Sequence, residues 1–289
     1  MSADGLARSF EACREITRRH AKSFYFSSHA LPAGKRREAY AVYAFCRHVD
    51  DEVDRAPDAA AVAAALDRQR TLLDALEAGN FGGLAWAPAF VATWRKAAIP
   101  RAYFDDLLVG MTLDRGAVRI ANWAELDRYC YHVAGVVGLV MTHVFTPERD
   151  PELFARARDL GTAMQLTNIL RDVGEDLRLD RIYLPSSELA EYEVAEADLR
   201  AGRVTGNFRA LMKFQIARAR AYYRSSEPGI VRLPADGTRR TAWMMADIYG
   251  AILGEIEKAG YQVFDRRAKT SLARKCALAL GALRKDLKA

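Results

Sequence analysis

Apolar residues return every three or four positions in one segment of the chain after another. In "REAYAVYAFCRHVDDEVD" they fall at 39, 42, 43 and 46, the spacing that lines one face of an α-helix. "AAAVAAALDRQRTLLDALEAG" is rich in Ala and Leu and stops at Gly79, a residue suited to the left-handed position after a helix. The segments "AELDRYCYHVAGVVGLVMTHVF", "PELFARARDLGTAMQLTNILRDVGEDL", "FRALMKFQIARARAYYRSSE" and "RRTAWMMADIYGAILGEIEKAG" also read as long helices. Strict alternation never exceeds about five residues, and no Asn-Gly pair marks a hairpin. Breaks are expected at "RAPD", "GNFGG", "AIPRAYF", "FTPERDPE", "IYLPSSELAEYEVAEADLRAGRVTGN" and "EPGIVRLPADGT". Only the fifth is long enough for a functional flap, and none resembles an inter-domain linker. The pattern predicts one all-α domain over residues 1–289.

Composition adds little to that picture but excludes several classes. Hydrophobic residues are 51% and charged residues 28% of the 289, which places the chain among folded, not disordered, sequences. No apolar run reaches the length of a membrane span, and the first twenty residues lack the apolar core of a secretion signal. A cytoplasmic location is the expectation. Cys13, Cys46, Cys130 and Cys276 form no CxxC pair, so zinc or disulfide scaffolding is not expected. The net charge of +6 is uneven: the last 24 residues carry Arg266, Arg267, Lys269, Arg274, Lys275, Arg284, Lys285 and Lys288 against Asp286 alone. Such a tail suits a solvated helix face, nucleic acid, an anionic membrane surface or an acidic substrate. No nucleic-acid recognition module accompanies it, and no nucleic-acid partner is expected.

The chemistry is concentrated in two acidic clusters. "HVDDEVD" ends an apolar helical run, and Asp50 and Asp54 lie four apart within it. In "MQLTNILRDVGEDLRLDRIYLP", Asn168, Asp172 and Asp176 are spaced by four, and Gln165 precedes Asn168 by three. On helices each set stacks into a column of oxygen ligands. Like charges in a column repel, more strongly when desolvated, so something positive must compensate. Hard oxygen donors without His or Cys in the columns favour Mg²⁺, with Mn²⁺ as the alternative. Mg²⁺ characteristically bridges one or two carboxylates to substrate phosphates. Arg47 and Arg171 stand beside the clusters and suit bidentate phosphate contact. Two such columns point to a diphosphate site; a single one would read as a solvated helix face.

At these residues the chain resembles the squalene/phytoene synthases, head-to-head prenyl diphosphate synthases, and most closely the bacterial phytoene-forming members. "HAKSFYFSSHALP", "YAVYAFCRHVDDEVD", "YCYHVAGVVG", "AMQLTNILRDVGEDLRLDRIYLP" and "DIYGAILGEIEKAGYQVFDRRA" carry the resemblance, in order and over nearly the whole chain. It implies an isoprenoid synthase helical bundle around a central cavity. It implies Asp50, Asp54, Asn168, Asp172 and Asp176 as metal ligands, with Asp51 as a helper. Lys22, Ser23, Arg47 and Arg171 would hold diphosphate oxygens; Tyr129, Gln165 and Tyr249 would line the cavity near the reacting carbons. Phe24, Tyr43 and Tyr129 offer aromatic faces for cationic carbon. Arg181 and Tyr183 belong to the family's "RIYLP" stretch. Asp180 stands just before it, where Gly or Asn is expected, which leaves that turn open.

The implied reaction condenses two geranylgeranyl diphosphates to phytoene through a cyclopropyl (prephytoene) diphosphate. The alternative is the same chemistry on farnesyl diphosphate, giving dehydrosqualene, presqualene diphosphate or squalene, with NADPH needed only for squalene. Ser28, four residues after Phe24, is expected to leave room for the longer tail. A peripheral contact with the membrane surface is expected because substrates and product are lipids. The non-enzymatic alternative, a family-like assembly or scaffold protein, is disfavoured by the intact acidic columns.

Overall fold

The computed structural model describes residues 2–56, 59–113 and 116–289, and of Asp54 and Ala59 the backbone alone. The expected metal ligand Asp54 and the Pro57–Asp58 break therefore lie outside the described side chains.

Helix ends follow local capping chemistry. α1 (Ala3–His20) starts at Ser2, whose Oγ accepts from the Gly5 N–H. α2 (Lys22–Ser28) and α3 (Ala33–Asp54) follow, the latter entered through Pro32. α4 (Ala59–Glu77) ends as the sequence predicts: Asn80 N–H donates to the Ala75 carbonyl at 2.8 Å and Gly79 N–H to Leu76 at 3.0 Å. That closure requires a left-handed residue, and Gly79 has φ +86°. α5 (Ala87–Ala97) and α6 (Arg101–Thr112) come next. The short strand β1 (Val118–Arg119) leads to α7 (Trp123–Cys130) and α8 (Val136–Phe145), joined by one π-helical turn, Tyr131–Gly135. α9 (Pro151–Arg178) has Asp150 as its cap and Pro151 at its first position, where a missing N–H costs nothing. β2 (Arg181–Ile182) pairs in parallel with β1. α10 (Ser186–Glu191), α11 (Glu196–Arg200), α12 (Gly206–Arg232), α13 (Thr238–Lys258) and α14 (Leu272–Lys288) complete the chain.

Burial of the apolar stripes forms two clusters. In the first, Phe45 of α3 stacks on Phe90 of α5 at 4.4 Å, and both meet Phe104 of α6 edge-on. The second gathers Leu166 and Leu170 of α9, Phe208 and Met212 of α12 and Leu253 of α13. α9, α12 and α13 contribute to both clusters, and α9 packs most extensively against α12. α9 also meets the α7–α8 segment at glycines. A Cβ on Gly161 would lie 2.5 Å from the Ala134 carbonyl oxygen, and one on Gly138 2.5 Å from that of Ala157. Only glycine permits this approach of two backbones.

Several expectations are corrected. The break at "EPGIVRLPADGT" begins later, because α12 runs through Pro228 to Arg232. Proline forfeits one hydrogen bond, but Gly229 and Ile230 beyond it are buried, and this packing holds the last turn. The "IYLPSSELAEYEV…" segment is not an open flap: it holds β2, α10 and α11. Glu188 there is buried and accepts from Arg218 Nη2 at 2.6 Å, and Trp123 lies under the same guanidinium at 4.2 Å. Two-residue strands carry no alternation, so the β1–β2 pair was invisible in the pattern. The turn before Arg181 forms with Asp180 at φ +56°; Asp is one of the few side-chain-bearing residues that tolerate this region. Its carboxylate is gripped by Arg119 and Arg200, which hold it below the usual carboxylate range.

Candidate active site

The bundle encloses a cavity of about 370 Å³ between α2, α3, α8, α9, α12 and α13. Its depths are apolar, walled by side chains such as Val137, Met141, Leu160 and Ile230. Phe24, Tyr43, Gln165, Asn168 and Tyr249 all face it. Phe24 and Tyr43 bring their rings within 6.1 Å of each other. Ser28 does not line it. That hydroxyl is fully buried, 2.7 Å from Tyr40 Oη and 2.8 Å from the Tyr25 carbonyl, because α2 turns it toward α3. Tyr129 is not a wall residue either. It packs on Tyr183 at 4.9 Å and approaches the cavity through Gln165, whose Nε2 lies 3.4 Å from its hydroxyl.

Both acidic columns continue from cavity walls. On α3, Asp50 lies one turn beyond Cys46, which faces the cavity; on α9, Asp172 lies one turn beyond Asn168. The positive compensation that the acids demand comes from arginines. Arg47 donates from Nη1 to Asp50 at 3.0 Å and from Nη2 to Asp51. Asp172 accepts from Arg171 Nε at 2.7 Å and from Arg267 Nε and Nη2 at 2.8 and 2.9 Å. Burial by itself would raise the Asp172 pKa; the two guanidiniums outweigh it and hold the carboxyl low. Arg47 is likewise penalised by burial, and Asp51 and Asp50 overcome that.

Two tyrosines connect the clusters. Burial pushes the Tyr43 phenol up to about 12, with Arg47, Asp50 and Tyr249 all close enough to act on it. Burial also raises Tyr249, which feels Arg171, Arg267 and Asp172. Tyr43 and Tyr249 are thus neutral at physiological pH and stand between the charged mouth and the apolar interior. Lys22 is exposed at the start of α2, and Ser23 accepts from Lys275 Nζ at 2.9 Å. In the sequence Arg267 and Lys275 belong to the basic tail, whose start suits contact with diphosphate and whose remainder suits an anionic membrane surface, and neither stands out there as an individual site residue. Their signal lay in the charge run itself, but no periodicity says where a chain end folds back.

Among the described residues no three His, Cys, Asp or Glu side chains converge as a ready-made metal cage. A different observation tests the fit of a cation. Asn168 Oδ1 and Arg47 Nε are buried with no hydrogen-bond partner, although such groups are rarely left unpaired. An unpaired amide oxygen one turn from an aspartate offers a hard donor, and an unpaired guanidinium N–H offers an anion contact.

A family model described as squalene/phytoene synthase matches residues 17–274. The chain belongs to the squalene/phytoene synthase family. Members of this family are prenyltransferases. A 15-cis-phytoene synthase of Synechococcus elongatus is 38% identical over 96% of this chain and 94% of its own. A phytoene synthase of Arthrospira platensis is 39% identical over 90% and 87%. Among solved structures, a dehydrosqualene synthase bound to a ligand superposes with a TM-score of 0.90, at 32% identity over 98% of both chains. A squalene synthase from Alicyclobacillus acidocaldarius gives 0.82 at 28% identity, over 90% and 97%. In this chain α3 and α9 line the cavity from Ala39 to Cys46 and from Leu153 to Asn168, and their acidic columns follow toward the C-terminal ends.

Proposed function

We propose that this protein is a phytoene synthase, joining two geranylgeranyl diphosphates head to head through a cyclopropyl diphosphate. The carrying observation is the apolar cavity whose α3 and α9 walls run on, one turn past Cys46 and Asn168, into two aspartate–arginine clusters, seen together with phytoene synthases as relatives. The reading treats residues 1–289 as one catalytic domain. Asp50, Asp54, Asn168, Asp172 and Asp176 would hold Mg²⁺, which when bound supplies charge neutralisation to the departing diphosphate.

The chain's own residues supply the rest. Arg47, Arg171 and Arg267 rest on carboxylates and turn to diphosphate oxygens when the substrate brings them a competing anion. Ser23 and Lys22 border the same mouth from α2. Ionisation breaks the first C1–O bond, and the double bond of the second molecule attacks the allylic cation. Proton loss closes the cyclopropane; a second ionisation, rearrangement to a C1–C1′ bond and loss of a further proton give the hydrocarbon. Phe24 and Tyr43 present aromatic faces to cationic carbon, Gln165 lines the same wall with Tyr129 behind it accepting from its Nε2, and Tyr249 closes it toward the charged mouth. The apolar walls exclude the water that would quench the cation.

The test is a product assay. Purified protein with Mg²⁺ receives geranylgeranyl or farnesyl diphosphate, with and without NADPH, and extracts are analysed by mass spectrometry. A C40 hydrocarbon indifferent to NADPH is expected. A C30 product from farnesyl diphosphate alone would replace this reading with the dehydrosqualene or squalene reaction, which the dehydrosqualene synthase superposition makes the second reading.

A further inference from the structure

α14 is the last helix of the chain, and its two faces differ. Its inner face packs on α13: Ala282 is fully buried, Asp286 pairs with Arg239 and Arg240, and Lys285 reaches Asp247 and lies over Trp243. Its outer face carries large apolar side chains in water. Leu272, Leu280 and Leu287 are 69%, 62% and 77% exposed, and Cys276 beside them is exposed too. At a helical turn of 100° per residue these four fall within an arc of about 80°. Arg284, Lys288 and Arg274, all exposed, occupy the next roughly 120°. The helix's lone acid, Asp286, points inward. An exposed apolar stripe flanked by basic residues with no acid is complementary to an anionic lipid surface, where the leucines enter the acyl boundary and the cations meet headgroups.

From this we infer that the outer face of α14 docks the protein on an anionic bilayer. No described helix is long and apolar enough to cross a membrane, so the contact is peripheral. The location suits the chemistry. On α13, Trp243 and Asp247 face α14, whereas Thr241, Met245 and Tyr249 face the cavity. A single helix therefore separates the lipid-facing leucines from the cavity wall. The inference rests on the reading of substrate and product as membrane lipids, and its test separates the two.

Cys276 is the one exposed cysteine and sits inside the stripe, so the unmodified chain accepts a polarity-sensitive thiol label there. Labelled protein is mixed with phosphatidylcholine vesicles, with and without phosphatidylglycerol, and co-sedimentation is measured in parallel. The expected result is a blue shift and sedimentation that need phosphatidylglycerol and weaken with salt. Leu280→Glu with Leu287→Glu should lower vesicle partition on the order of tenfold or more. Arg284→Glu with Lys288→Glu should lower it by at least about fivefold per residue on anionic vesicles alone. Neither variant should change product formation from detergent-dispersed substrate. Undiminished vesicle binding by both variants, or no binding by the parent, overturns the inference. So does a blue shift that depends on protein concentration without lipid, since the face would then bind a second copy. Vesicle binding by a protein that forms no hydrocarbon would leave the surface standing and remove the proposed function instead.

Discussion

Arg267 Nε and Nη2 lie 2.8 and 2.9 Å from the two carboxylate oxygens of Asp172, although 95 positions separate the residues. The contact folds the start of the basic C-terminal segment back over the second acidic column. It also gives Asp172 a second guanidinium besides Arg171. The local chain is seated by close contact: a Cβ on Gly174 would lie 2.1 Å from the Phe264 carbonyl oxygen.

Replacing Arg267 by Ala should therefore damage catalysis more than folding. Asp172 keeps Arg171, and Arg267 is 46% exposed, so little stability rides on the pair. A charge-assisted contact to diphosphate is worth about 1.5–3 kcal/mol, or a loss of roughly ten- to a hundredfold in kcat/KM. Arg267→Lys should fall between, since it restores charge without the bidentate fork. Steady-state rates beside thermal melts decide the point: a large drop in Tm with unchanged kcat/KM would make the residue a structural clamp only.

Asn168 gives the converse test. Its Nδ2 donates to Gln165 at 3.3 Å, but its buried Oδ1 has no partner. Asn168→Leu removes one weak hydrogen bond and one orphaned acceptor, two effects of opposite sign and about 1 kcal/mol each. Unfolding free energy should stay within about 1 kcal/mol of the parent. Activity should fall by two orders of magnitude or more if that oxygen binds a cation at about the strength of other transition-state contacts. Urea denaturation and the Mg²⁺ dependence of turnover check both halves. Unchanged Mg²⁺ dependence would remove Asn168 from the ligand set.

The reach of the sequence follows from what each feature depends on. The helices, the Gly79 terminator and the helical spacing of the acidic residues on α3 and α9 were legible because they are local: spacing and capping decide them. Pro228 misled because its local penalty is outweighed by the burial of Gly229 and Ile230 against distant chain. Ser28 misled for a related reason. Its place on the helical face was right relative to Phe24, but Tyr40 captures its hydroxyl, and no spacing in α2 reveals a partner on α3. The arginine neutralisation of Asp172 was half visible. Arg171 is adjacent in sequence, whereas Arg267 arrives through tertiary folding.

The glycine crossing in the cavity wall makes a separate prediction. Gly161→Ala would push a methyl group to 2.5 Å from the Ala134 carbonyl oxygen, and backbone cannot rotate away as a side chain can. Overpacking of this kind costs about 1–3 kcal/mol. Because Ala134 and Gly161 both line the cavity, the displaced segment should also change the ratio of C40 to C30 product or the KM for the longer substrate. Denaturant midpoints and competition between the two diphosphates measure these effects. A variant as stable as the parent would show that the two segments separate freely.

The last prediction concerns acid. His143 on α8 is buried, edge-on to Tyr103 at 5.7 Å and Phe154 at 4.9 Å. Its Nδ1 faces the Ala97 carbonyl at 3.3 Å, an oxygen that also accepts from Arg149 Nη2 at 2.9 Å. Burial first, and the Arg149 charge second, lower its pKa below 6.5, and the carbonyl only partly opposes them. Above 6.5 the imidazole is neutral both folded and unfolded, and stability is complete. As the pH falls below 6.5 the unfolded chain takes up a proton that the folded one resists. Stability then declines by up to about 1.4 kcal/mol per pH unit, and levels off once the pH passes below the folded pKa. His143→Gln keeps an N–H for the carbonyl and does not titrate. Its unfolding free energy, plotted from neutral pH downward, should be flatter than the parent's in that window, and superimposable slopes would mean that His143 protonates in the folded protein without penalty.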